Sequence, residues 1–292
     1  MKTKTFMKTL IAAALAALPA VAQADEPSAI HGFFDYSLKN AYITPRGLLV
    51  TNKGMTMQIL GGLAFDLYDD PKGTINSVNF TAGVWNDIAT SQNAPKVSSW
   101  NEFDWFFGPQ VTFLKDWTAG ATFVQFLSPP GAFKPETNIE FTLNFNDSPY
   151  LKPISIHPYA KLFWEVSGPS TVVLGEKGST FDVELGITPT LEVKPGGIPV
   201  TFTMPTWITV GPASYWGGTS NVGVFSTGLR ASTPLSFIPS RFGGWYVDAG
   251  VQYYNLINGK LVAAQMLTLG TARNTEGNNN IWVGTVGIGF GF

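Results

Sequence analysis

The sequence predicts an all-β fold, a transmembrane antiparallel β-barrel of about twelve strands closed by the C-terminal strand. Three observations point there. Large apolar residues recur at a period of two along almost the whole chain. The clearest case is the final segment IWVGTVGIGFGF, with Trp282, Val286, Ile288, Phe290 and Phe292 on one face and Gly287, Gly289 and Gly291 on the other. Charged residues make up only 13 % of the chain, against roughly 25 % in ordinary globular proteins, yet no apolar run reaches the roughly 18 residues of a transmembrane helix. The N-terminus reads as an export signal. Apolar residues dispersed along strands that face lipid, with no sheet edge left unpaired, satisfy all three.

The export signal comes first in the chain. Lys2, Lys4 and Lys8 precede an apolar run from Leu10 to Leu18, then Pro19 and the small-x-small site Ala22-Gln23-Ala24. This pattern predicts a secretory signal peptide over residues 1–24, cleaved before Asp25. The run is too short to anchor the chain. Residues 25–292 are then expected to form one outer-membrane barrel domain. The chain has no Cys, so neither a lipoprotein anchor, a disulfide nor a thiolate metal site is expected. No cofactor and no metal are implied. A formal net charge of −2 gives no basis for nucleic-acid binding.

Strand-like runs follow at residues 33–44, 55–68, 74–87, 99–113, 117–127, 135–146, 156–166, 179–192, 198–210, 221–233, 242–254 and 281–292. Each is long enough for the roughly 9–11 residues that cross a bilayer when tilted. Residues 135–146 show the pattern most clearly, setting Ile139, Phe141, Leu143 and Phe145 against Glu140, Thr142, Asn144 and Asn146. Residues 99–113 set Phe103, Trp105 and Phe107 against Glu102 and Asp104. Residues 117–127 are apolar throughout and leave their facing open. Pro205 lacks a ladder N–H, so it should interrupt its strand. Even-numbered connections such as Asp69-Asp70-Pro71-Lys72-Gly73 and Lys115-Asp116 are short and turn-like, whereas residues 88–98, 168–178 and 255–280 are long. That asymmetry fits periplasmic turns, external loops and both termini in the periplasm. Residues 258–271 are the one helix candidate, with an external loop or a loop folded into the lumen as alternatives. No strong internal repeat is present.

If the large apolar side chains face lipid, the opposite face points inward. It then carries Asp35, Asp66, Asp87, Glu102, Asp104, Glu140, Glu165, Asp182, Glu184, Glu192 and Asp248 against Lys39, Lys161 and Arg230. A lumen so lined favours cations. Alternatively, the carboxylates pair within the wall as structural networks. Tyr68, Trp85, Tyr159, Phe163, Tyr246 and Tyr254 also point inward, either lining a path or plugging it. Catalysis has little support. His31 and His157 have no Ser or carboxylate partner at a readable spacing, and no nucleophile elbow, HExxH motif or phosphate loop occurs.

The signal peptide, the strand alternation and the terminal Phe292 together resemble bacterial outer-membrane β-barrels over the whole mature chain. That resemblance implies outer-membrane lipid as surroundings and an assembly machinery that reads Phe292. More loosely, Ala41-Tyr42-Ile43-Thr44-Pro45-Arg46-Gly47 resembles the Y-x-x-x-R-G element of the TorF-like putative porins, as do Gln58, Gly83-Val84-Trp85 and the closing VGIGFGF. The chain departs from that family at Thr44-Pro45, where an aromatic or apolar residue usually precedes the Arg. The resemblance implies a channel and transfers no catalytic residue. The expected function is passive diffusion of small hydrophilic solutes or ions, with a lean to cations. A non-conducting structural or surface-binding barrel and a lipid-modifying enzyme are the alternatives.

Overall fold

The period-two pattern folds into strands that close on themselves. The computed structural model describes residues 28–91, 98–167, 179–217, 220–269 and 277–292; the expected signal peptide lies outside them. Its strands are β1 (Ile30–Lys39), β2 (Tyr42–Ile43), β3 (Leu49–Thr51), β4 (Thr56–Asp69), β5 (Ile75–Ala89), β6 (Trp100–Phe113), β7 (Trp117–Leu127), β8 (Glu136–Phe145), β9 (Ile154–Ser155), β10 (Tyr159–Ser167), β11 (Phe181–Ile187), β12 (Thr190–Val193), β13 (Val200–Thr203), β14 (Thr206–Val210), β15 (Val222–Pro234), β16 (Gly244–Leu256) and β17 (Asn280–Gly291). One α-helix, α1 (Gly259–Leu269), precedes β17.

Twelve strands form a closed antiparallel barrel. Its order is β1-β4-β5-β6-β7-β8-β10-β11-β14-β15-β16-β17, and β17 returns to β1. At the seam Phe33 pairs with Gly291 and Lys39 with Thr285. The Gly32 and Phe292 backbones exchange two 3.0 Å hydrogen bonds, so the seam stays paired to its end. The short strands β9, β12 and β13 continue β10, β11 and β14 beyond interruptions. Pro205 lies in the break between β13 and β14, as a residue without a ladder N–H must. Pro189 interrupts β11–β12 in the same way, and His157-Pro158 separates β9 from β10.

The first strand differs from the sequence reading. It ends at Lys39, and Tyr42–Ile43 pair instead with Leu49–Thr51 in a separate hairpin. The apolar residues of that hairpin keep the strand-like alternation going past the barrel wall, which is why the sequence alone merges the two. Residues 259–269 form a helix. Asn258, fully buried, caps it by accepting from the Lys260 N–H at 3.0 Å, while its amide donates to the Ser220 carbonyl at 3.2 Å.

The outer face is apolar and exposed: Leu229, Leu185, Trp282 and Val286 keep 48–61 % of their surface. A closed barrel wrapped by such a band is a bacterial outer-membrane protein. The facing of β7, open in the sequence, is settled by register. Phe126 pairs with Asp104 and Val124 with Phe106 on the inside, so Phe123 lies outside and stacks on Phe107 at 5.2 Å. Gln125 shares that outer face, and its oxygen accepts the Trp105 indole N–H at 2.9 Å.

Inward glycines act as slots for neighbouring aromatics. A Cβ on Gly289 would meet the Tyr246 hydroxyl at 2.3 Å, and one on Gly186 would meet the Tyr159 ring at 2.4 Å. Phe33 lies across Gly62 and Phe106 across Gly83 in the same way, with contacts of 2.6 Å to the missing Cβ. The space over Gly287 and Gly289 is therefore filled from β16, by Asp248 and Tyr246.

Candidate functional site

The hairpin β2–β3 folds into the barrel. Its tip is a closed turn: the Thr44 N–H donates to the Leu48 carbonyl, the Gly47 N–H to the Thr44 carbonyl, and the Leu48 N–H to Thr44 Oγ1, at 2.9–3.0 Å. Gly47 adopts φ +94°, and a Cβ there would also meet Leu261 Cδ1 at 2.9 Å, so both conformation and space call for glycine. The turn puts Arg46 in the lumen, 5 % exposed. Its guanidinium lies 4.9 Å from the Phe163 ring and 5.4 Å from the Phe126 ring, contacts worth about 0.5–2 kcal/mol each. The negative charges of Asp182, Glu136 and Glu140 act on it. Tyr42 donates to Glu102 Oε2 at 2.9 Å, and the Trp207 indole N–H donates to the Pro45 carbonyl at 3.4 Å. The hairpin is thus fastened to opposite walls.

Above it, at the loop end, Ala41, Ile43, Leu49, Tyr215, Trp216, Val224, Leu256, Leu261, Ile281 and Val283 form one apolar core. A second apolar cluster lies lower in the lumen, where Phe33, Leu60, Phe106 and Val124 pack with Trp85 and Phe126.

The inward face carries the expected charges in two groups. On β1, β15 and β16, Arg230 Nε donates to Asp248 Oδ1 at 2.7 Å, and Arg230 Nη2 lies 3.7 Å from Asp35 Oδ2. Tyr246, lying over Gly289, donates to Asp35 Oδ2 at 2.8 Å. Lys39 donates to Gln58 Oε1 at 2.5 Å. Asp87 is fully buried, with Thr56 and Asn101 as donors. The other group lies on β6, β8, β10 and β11. Glu102, Asp104, Glu140, Lys161, Glu165, Asp182 and Glu184 are all below a tenth exposed. Lys161 stands opposite Glu184 in register, and Tyr159 donates to Glu184 Oε1 at 2.8 Å.

Three residues assigned inward sit at the mouth instead. Asp66 and Tyr68 flank a bulge at the terminal end of β4; the Asp66 side chain is 37 % exposed and Tyr68 47 %. Glu192 is exposed on β12. Parity gives the facing of a strand residue but not its height in the barrel.

Two of the cavities among the described residues flank the hairpin tip. One, of about 150 Å³, lies among Asp35, Tyr159, Trp207, Arg230 and Gln252. The other, of about 170 Å³, lies among Arg46, Glu102, Asp104, Phe126 and Glu140. Both are bordered by Lys39, Pro45, Gln58, Leu60, Trp85 and Tyr254, so they meet around the hairpin tip.

The histidines do have partners that spacing did not reveal. His31 Nε2 is 2.9 Å from Asp66 Oδ2. His157 Nε2 is 2.7 Å from Ser155 Oγ and 3.4 Å from Ser148 Oγ, and its Nδ1 is 3.6 Å from Asp147 Oδ1. The Asp147 carboxylate accepts the backbone N–H groups of Ile156 and His157. It therefore fastens the chain entering β10, where His157 has φ +48°, and makes no hydrogen bond to the imidazole at 3.6 Å. Burial lowers the His157 pKa from its ordinary 6.5, with Asp147 raising it in part. Among the described residues, no group of three or more His, Cys, Asp or Glu has a metal-holding arrangement.

Arg46 and Tyr42 are site residues that alternation does not find, because they lie off the barrel strands; Glu136, at the first position of β8, shares the inward phase of Asn138 and Glu140. Leu60, Phe106 and Val124 sit on the inward phase of their strands and break the apolar-out rule, the only signal for the lumen cluster.

A closed, twelve-stranded barrel with an apolar outer face, an inward-folded first loop and a charged interior defines an outer-membrane β-barrel. No protein-family model and no curated protein sequence matches the chain. Among solved structures the chain is similar to an outer-membrane channel from Pseudomonas putida F1, with 9 % identity, 91 % of this chain and 97 % of that chain covered and a TM-score of 0.46. It is similar to the NanC porin at 10 % identity, covering 90 % of this chain and 99 % of that one, with a TM-score of 0.43. The transport unit of the autotransporter AIDA-I from Escherichia coli aligns at 10 % identity over 92 % of each chain, with a TM-score of 0.39.

Proposed function

We propose that the protein is a porin-like channel through which small hydrophilic solutes diffuse passively, with a lean to cations. Two cavities that share a border at the hairpin tip support this reading. The lean rests on the wall: buried carboxylates on β5, β6, β8, β10, β11 and β16 outnumber Arg46, Lys39, Lys161 and Arg230, and a narrow low-dielectric lumen focuses that field. In this reading the carboxylates act together with the cations as the path's lining, the TorF-like resemblance of residues 41–47 marks the constricting hairpin, and Phe292 serves the assembly machinery as its recognition residue.

The test is conductance of folded, purified protein in planar bilayers. Channel events with a reversal potential on the cation side of a salt gradient are expected. Absence of events rejects the channel, and an anion-side potential rejects the lean. The loop-end core and the Phe33–Leu60–Phe106–Val124 cluster favour a second reading, a barrel that does not conduct; a silent bilayer together with a folded barrel would support it.

A further inference from the structure

The 170 Å³ cavity brings together a buried carboxyl group and a buried guanidinium, each with an atom left unbonded. Asp104, 6 % exposed, has no hydrogen-bond partner at Oδ1, and Arg46, 5 % exposed, has none at Nε. Both border the cavity. A buried polar group with an unmet hydrogen-bonding atom is costly, so one such pair around an empty space is an arrangement that a dipolar guest relieves. Glu140 and Glu102 add negative charge on the Asp104 side. The rings of Phe106 and Phe126 border the same space and present the faces that attract ammonium groups. A cavity of about 150 Å³ holds a benzene-sized guest, so this one suits roughly seven or eight heavy atoms.

We propose that this cavity binds a small amino-acid-like zwitterion. Its ammonium lies against Asp104 and Glu140, and its carboxylate accepts from Arg46 Nε. The inference rests on the channel reading for the route by which the solute arrives, and it names the class of solute.

Isothermal titration on the detergent-solubilised, folded protein tests it with three probes: γ-aminobutyrate, whose ammonium can donate to Asp104, propylamine, which lacks the carboxylate, and butyrate, which lacks the ammonium. γ-Aminobutyrate is expected to bind saturably, and propylamine and butyrate about tenfold or more weakly. Asp104→Asn and Arg46→Gln are each expected to weaken γ-aminobutyrate by about tenfold or more, with circular dichroism confirming the folded barrel. Asp104→Asn keeps the test open if Arg46→Gln disturbs the hairpin. Propylamine binding as tightly as γ-aminobutyrate, no γ-aminobutyrate binding, or γ-aminobutyrate binding unchanged in Asp104→Asn would overturn the proposal. Conductance without γ-aminobutyrate binding overturns this inference alone. γ-Aminobutyrate binding to a protein silent in bilayers overturns the channel and leaves the site standing.

Discussion

Single residues at strand breaks hold this barrel in register, and His157 is one whose role depends on pH. Its ring is half-buried beside Ser155, and burial sets its folded pKa below the ordinary 6.5. The unfolded chain therefore takes up the proton first as pH falls. Stability tied to the neutral ring is complete above about pH 6.5 and is lost as pH drops through the interval down to the lowered folded value. The expected result is a falling urea midpoint on acidification below 6.5. In His157→Gln, which cannot titrate, that part of the fall should vanish; an unchanged slope would show that the ring contributes nothing. Sequence spacing could not find these partners. Asp147 and Ser148 meet His157 only because the chain folds back between β8 and β10, and turn geometry of that kind has no periodic signature.

At the scale of an element, the hairpin β2–β3 occupies the lumen, and in the channel reading it sets how wide the path is. Arg46 is held between two aromatic rings and a set of carboxylates, so removing its side chain frees lumen space and one fastening together. Arg46→Ala is expected to raise single-channel conductance severalfold and to strengthen cation selectivity, since a fixed positive charge is lost from the path. A conductance equal to the parent would place the constriction elsewhere, at the Phe33–Phe106 cluster. The strands themselves were largely legible, because a period of two with lipid on one side is a strong constraint. The hairpin was not. Its Tyr42–Ile43 strand prolongs the alternation of β1 across the Asn40 turn, and nothing local in the sequence says that these residues leave the wall. Leu60 and Val124 likewise carry no mark beyond being apolar at inward positions, which a rule sorting apolar from polar reads as exceptions.

For the whole molecule, the loop-end core joins distant parts of the chain. Ala41 and Ile43 come from the first loop, Tyr215 and Trp216 from the loop before β15, Leu261 from α1 and Val283 from β17. Placing a charge there by Val283→Asp buries an unpaired carboxylate at a site now 4 % exposed, a cost of several kcal/mol. Limited proteolysis should then open the 41–51 hairpin and α1 together while the lipid-facing strands stay protected. Cleavage confined to α1 would show that the loops pack independently. Twelve strands, their order and the closing seam follow from sequence patterning; the filling of the interior does not, because it depends on which loop the barrel swallows.

The same core has a consequence for the order of events. Ile43 and Val283 meet only when β17 has docked on β1 in the register that pairs Phe33 with Gly291. A slip of two residues at the seam keeps every apolar side chain facing lipid and most backbone bonds made, so the membrane would not reject it. It would, however, carry Val283 and Ile281 away from the loops they meet. The core therefore works as a checksum on the finished sheet: it consolidates for one alignment of the first and last strands and stays loose, open to proteases, for its neighbours.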